Sequence, residues 1–291
     1  MMKDRKRFAL DVVVRPTRFL FEEGQLDEIQ RVLREHAPKW SAQARMWRSR
    51  NDQKPVDLAK PGALEKLIRQ DKARFDFSPM RKALDAQLGP QLPPAYARFL
   101  GSAELRGEGD ALIVVVRVDE YALAPLGKKW IFGNDVALQI RRSKVEGVDA
   151  AAWSVDVFRA LCDALQPFHG DVHAQDEYDA KNMSHEGGGL EAMGADASRY
   201  LPGLYWLNFF GKPYCDLMGR ERLLSAPAAE AREVGNGILL RLADNPLEWA
   251  SPEYKAVERR VLDHAGPQYF FSKDDPNRKT VAPDFELSAR R

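Results

Sequence analysis

Residues 111–118, Ala111-Leu112-Ile113-Val114-Val115-Val116-Arg117-Val118, decide the fold. All but Arg117 are apolar, and the β-branched run favours an extended backbone. Apolar residues fall on both parities of the strand alternation, so this segment is expected to be a central strand in a sheet covered on both faces. Residues 136–140 read as its neighbour. Residues 8–14 are β-branched and partly alternating, and Phe19-Leu20-Phe21 follows Arg15-Pro16-Thr17, which predicts an opening strand pair turning at Pro16. Residues 44–50 and 237–242 read as further strands. Residues 204–210 read equally well as a buried strand or the start of a helix.

Helices alternate with these segments. Leu26, Ile29 and Leu33 follow Gly24 at helical spacing, and Leu64, Leu67 and Ile68 share one face after Pro61. Ser78-Pro79 supplies a cap and a first-turn proline for a helix carrying Met80, Leu84 and Leu88, stopped by Gly89-Pro90. Val157, Phe158, Leu161 and Leu165 stripe a helix over 153–165. Ser251-Pro252-Glu253 opens another that ends at Gly266-Pro267. The class is therefore α+β or mixed α/β, a central sheet, mostly antiparallel or mixed, covered by helices. A strand pair plus helix near the start is echoed over 111–165, which leaves open two similar halves. The breaker cluster 89–94 reads as a loop or as a boundary. The expectation is one domain over 1–291, with subdomains 1–94 and 95–291 as the alternative division.

The chain has 291 residues, 44% of them apolar, which is enough for a sizeable core. The formal charge is +1, against a globally basic nucleic-acid coat, but residues 1–84 carry 20 Lys/Arg to 12 Asp/Glu and the remainder is acidic. Two cysteines, Cys162 and Cys215, exclude a disulfide framework and read as buried packing residues. No apolar run is long enough to span a membrane, and the charged start lacks the pattern of a signal peptide, so a reducing cytoplasm is expected.

The catalytic templates are empty: there is no G-x-S-x-G elbow, Walker loop or H-E-x-x-H. Gly187-Gly188-Gly189 reads as a flexible loop. Trp206, Phe209, Phe210 and Tyr214 read as core rather than as a base-stacking surface. His169, His173 and His185 lie close in sequence beside carboxylates, and a metal-assisted hydrolase built on them is the rival enzyme reading. Gly170 and Pro167 argue against a helix there, although 169 and 173 would share a face in a strand. No catalytic, cofactor or metal residue is assigned. Asp274-Asp275-Pro276-Asn277 is a turn without the glycine or glutamate of a calcium loop. Over 171–196, Asp171, Asp176, Glu177, Asp179, Glu186, Glu191 and Asp196 meet only Lys181, which predicts an exposed acidic loop able to contact a basic partner. Asp176, Glu177, Asp179 and Glu186 are its candidate contact residues, with Arg45, Arg48 and Arg50 as the basic alternative.

The run from Leu201-Pro202-Gly203-Leu204-Tyr205-Trp206-Leu207-Asn208-Phe209-Phe210 to Gly211-Lys212-Pro213-Tyr214 resembles a bacterial immunity-protein family, immunity protein 52, with kinship to the type VI secretion immunity family. The later runs 219–227 and 237–242 carry the same likeness. So do 158–165, Pro167-Phe168-His169-Gly170, Gln268-Tyr269-Phe270-Phe271 and Ala282-Pro283-Asp284-Phe285. The likeness covers residues 150–287 and rests on scaffold positions. It implies a cytoplasmic antitoxin without catalysis or cofactor, whose partner is a cognate secreted toxin acting in the cytoplasm. Neither a membrane nor nucleic acid is an expected partner, self-association is open, and a dimeric scaffold or regulator is the other non-enzymatic reading.

Overall fold

The computed structural model describes residues 8–16, 20, 24–36, 44–47, 53–72, 100–106, 112–119, 122–123, 131–132, 135–141, 150–184, 191–192 and 199–283. Strands β1 (Phe8–Arg15), β2 (Ala44–Trp47), β3 (Gln53–Val56), β4 (Leu100–Arg106) and β5 (Leu112–Asp119) come first. A short pair, β6 (Ala122–Leu123) and β7 (Ile131–Phe132), stands apart, followed by β8 (Asp135–Arg141) and β9 (His169–Ala174). A second short pair, β10 (Met183–Ser184) and β11 (Glu191–Ala192), precedes β12 (Leu207–Phe210), β13 (Glu230–Val234) and β14 (Gly237–Arg241). The helices are α1 (Gln25–His36), α2 (Ala63–Lys72), α3 (Ala150–Leu165), α4 (Gln175–Asn182), α5 (Lys212–Met218), α6 (Arg220–Leu224) and α7 (Pro252–Ala265).

Ten of these strands form one sheet in the order β13-β14-β12-β9-β1-β8-β5-β4-β2-β3, every pairing antiparallel. The class expected from the sequence, an antiparallel sheet with helices, is the class found. Strands from before and after residues 89–94 share this sheet. Both edges of β1 are taken, by β8 and by β9. Of the strand expected at residues 19–21, Phe19 and Phe21 lie outside the described residues, and Leu20 is a buried turn residue. The helix expected over 79–88 and the 89–94 cluster lie outside the described residues.

Alternation divides the sheet into two unlike faces. On one, Leu10, Val12, Val14, Val114, Val116, Val136, Leu138 and Val172 are wholly buried. Helix α3 packs on β1 and β9, with Val157, Phe158 and Leu161 at 0% exposure, and α1 packs on α3. The Trp153 indole donates to the His36 carbonyl at 2.6 Å, tying the two helices together. Buried Gln30 donates to the carbonyls of Leu58 and Lys60 and accepts from the Leu64 amide, so one side chain satisfies three backbone groups where α2 begins. Gly170 lets α3 approach closely: a Cβ there would meet the Phe158 ring at 2.8 Å.

The opposite face differs. Along β5 and β8, Val115, Asp135, Ala137 and Gln139 are only half-buried, as are Val13 and Arg15 on β1. On the second face of residues 111–118, Ile113 is buried as expected and Val115 only half-buried, so cover there is partial among the described residues. The undecided stretch 204–210 ends in β12, where Phe209 and Phe210 are fully buried. Trp206 and Tyr214 are also buried, so the aromatic group is core, as are Cys162 and Cys215.

Candidate functional site

Four adjacent strands bring the polar residues of the second face into a row. The register sets Asp11 opposite His173, Val13 opposite Asp171 and Arg15 opposite His169. On the outer sides, Gln139 of β8 faces Asp11 and Asn208 of β12 faces Asp171. The residues of β9 that alternate with this row, Gly170, Val172 and Ala174, turn to the apolar face.

Arg15 donates to Asp171 Oδ1 at 2.6 Å and lies 3.1 Å from His169 Nδ1. A guanidinium only donates, so Nδ1 accepts and His169 is the neutral tautomer protonated at Nε2. Burial, reinforced by the Arg15 charge, lowers the His169 pKa to about 3. Asp171 is wholly buried, and burial alone would raise its pKa; the Arg15 charge and the His173 hydrogen bond overcome this and hold it well below the ordinary carboxylate value.

His173 is held the other way. Its Nδ1 donates to Asp171 Oδ2 at 2.7 Å, and Nε2 lies 3.7 Å from Asp11 Oδ2. Burial favours the neutral ring, but the Asp11 and Asp171 carboxylates prevail and raise the pKa to about 9. The ring stacks on Tyr178 and sits against Tyr205, both centroids at 4.9 Å. The row thus alternates in sign, Arg15, Asp171, His173, Asp11, and each charge has an opposite neighbour.

Helix α4 follows β9 directly and contacts β1. Glu177 is fully buried; its Oε1 accepts from Lys181 at 2.6 Å and from the Tyr254 hydroxyl at 3.2 Å. Burial raises the Glu177 pKa against the pull of Lys181. Lys181 also pairs with Glu258 at 2.7 Å, donates to the Leu204 carbonyl and lies over the Tyr205 ring at 5.0 Å. Asn182 donates to the Tyr205 hydroxyl. Lys273 donates to the Met183 carbonyl just past the helix at 2.8 Å and reaches the Ala180 carbonyl in its last turn at 3.5 Å.

The exposed acidic loop expected over 171–196 is therefore not what forms at its start. Residues 169–174 are a strand buried at every position, and Gln175–Asn182 is a helix. Asp171 and Glu177 are structural: Arg15 of β1 reaches Asp171, and Lys181 on the same helix together with Tyr254 of α7 holds Glu177. Of the predicted contact residues, Asp176 is exposed and Asp179 half-buried, with Gln175 donating to Asp179 Oδ1 at 3.1 Å. Glu186, Asp196, Gly187-Gly188-Gly189 and His185 lie outside the described residues, as do Arg48 and Arg50; Arg45 lies in β2.

His169 and His173 do share one strand face, but four residues of strand place them ~13 Å apart, too far to ligate one ion. Among the described residues no three His, Cys, Asp or Glu side chains come together as metal ligands would, and no helix is long and apolar enough to cross a membrane. The sequence reading did not connect Asp11 and Arg15 with this row. The available signal was period two: polar residues at 11 and 15, and at 169, 171 and 173, each alternating with apolar or small ones.

No protein-family model matches the chain, and no curated protein matches it. Among solved structures it is similar to the Pseudomonas aeruginosa T6SS protein PA0821, with a TM-score of 0.43 and 11% identity, over 87% of this chain and 73% of that one.

Proposed function

We propose that the chain is an immunity protein, which binds a cognate secreted bacterial toxin in the cytoplasm and blocks it stoichiometrically, without catalysis of its own. The motifs at 201–214 and 237–242, which resemble type VI immunity proteins, motivate the reading. The observation that carries it is the self-neutralised row on β1 and β9. Arg15, Asp171, His173 and Asp11 engage one another at the centre of the sheet. Glu177, Lys181, Tyr254 and Glu258 do the same beneath α4. Along this row and on α4, side chains that could have served as acid or base hold the architecture together instead. Asp176 and Asp179 on α4 are the acidic contacts this reading retains; Glu177 is withdrawn from it.

Sequencing the flanking genes and co-expressing this chain with the toxin domain they are expected to encode tests the proposal. Protection of cells from that toxin and not from unrelated toxins, with a 1:1 complex on co-purification, is the expected result. Changing Asp176 and Asp179 together to serine should slow association and weaken its salt dependence while leaving the melting temperature in place. Absence of both protection and complex formation would remove the immunity reading.

A further inference from the structure

The second face of the sheet forms a trough. Val13, Ala137 and Val115 stand side by side across β1, β8 and β5, by register, and make a floor of small apolar side chains, each half-buried. One residue pair along the strands in either direction, the floor on β1 and β8 is flanked by polar positions, while on β5 the buried Ile113 continues it beside Gln139. Asp11 and Gln139 stand on one side, Arg15 and Asp135 on the other. Strand geometry sets the two walls ~13 Å apart and makes the floor ~10 Å long, a width that accepts a helix ~10 Å across.

The wall on the α4 side has an acceptor without a donor. Asp11 Oδ1 is buried and has no hydrogen-bond partner among the described residues. Its other oxygen takes only a 3.4 Å hydrogen bond from Gln139 and the 3.7 Å contact with His173. A buried carboxylate oxygen left unpaired is costly, and a cationic donor relieves that cost best. Gln139 is half-buried and weakly held, so it is the side chain that would give way.

We infer that this trough is where the toxin seats: a basic segment lies across β1, β8 and β5 on Val13, Ala137 and Val115, and places a lysine or arginine against Asp11. The inference rests on the immunity reading and names its contact surface. The partner is basic because an oxygen left without a donor among the described residues belongs to a carboxylate on the floor's edge, Asp11 Oδ1, while Arg15 on the opposite wall is already bound to Asp171.

The test uses the full chain and the purified toxin domain that the flanking genes are expected to encode. Ala137→Arg places bulk and like charge on the floor, away from the polar row, and should weaken binding by about 100-fold or more, whereas Ala137→Ser should bind as the parent does. Asp11→Asn should reduce both affinity and its dependence on salt. Should Ala137→Arg fail to fold, Ala137→Cys serves instead: the toxin should protect this thiol from maleimide, and prior labelling should abolish the complex. A parent that binds while Ala137→Arg binds equally well, or while the Ala137→Cys thiol stays reactive in the complex, overturns the trough and leaves immunity standing. A parent that does not bind overturns both.

Discussion

Moving the pH away from about 6.5 in either direction should destabilise this fold, because two histidines on β9 are held in opposite charge states. His173 has its pKa raised to about 9, so the native state keeps a proton that the unfolded chain releases above 6.5. Its contribution is complete below pH 6.5 and is lost as the pH rises through about 9. His169 has its pKa lowered to about 3, so the native state refuses a proton that the unfolded chain takes up. Its contribution is complete above pH 6.5 and is lost as the pH falls towards about 3. At ~1.4 kcal/mol per pH unit, the alkaline arm is worth up to ~3 kcal/mol and the acid arm up to ~5 kcal/mol. Roughly 3 kcal/mol of the acid arm falls between pH 6.5 and about 4.5, before ordinary carboxylates titrate. The assay is urea unfolding at pH steps from about 4.5 to about 9.5, on the parent and on His169→Asn and His173→Gln. His169→Asn should flatten the acid arm alone, and His173→Gln the alkaline arm alone. A parent curve flat to within ~1 kcal/mol across this range, or arms that survive both substitutions, would refute the assignment of charge along the row.

Two further outcomes concern the scaffold. A Cβ on Gly211 would stand 1.9 Å from the Pro167 carbonyl oxygen, so Gly211→Ala should cost at least ~3 kcal/mol in chemical denaturation or leave the chain insoluble. Ser251 caps α7 by accepting from the Tyr254 amide at 3.1 Å, so Ser251→Ala should cost ~1 kcal/mol and leave toxin binding at the parent level.

What the sequence disclosed was whatever a short window contains. Val114 and Val116 announce a strand through their own chemistry, and α7 carries its start in Ser251-Pro252 and its end in Gly266. Strand β9 was harder, because His169-Gly170-Asp171-Val172-His173 is polar or small at four of five positions and resembles a loop. It becomes a buried strand only because Arg15 and Asp11, more than 150 residues earlier, neutralise its carboxylate and imidazole. Helix α4 has no apolar stripe for the same reason. Its buried positions are Glu177 and Asn182, and the groups that satisfy them, Tyr254 and Tyr205 among them, come from elsewhere in the chain. The candidate contacts Asp176 and Asp179 were legible as charge, whereas the division between them and Glu177 needed the fold.

The position of β1 has a consequence for how the chain is made. Its partners are residues 135–141 and 169–174, so neither edge can close until those segments have left the ribosome. At about 5–20 residues per second, that is a wait of roughly 10–30 s between this apolar strand and the last of its partners. The nucleus is then expected to lie in the locally connected hairpins β4–β5 and β13–β14, with β1 inserted late between two preformed halves at the full entropic cost of closing long loops. A nascent chain halted before residue 174 would hold Leu10, Val12 and Val14 on an open strand edge, the segment to which a holdase chaperone would bind.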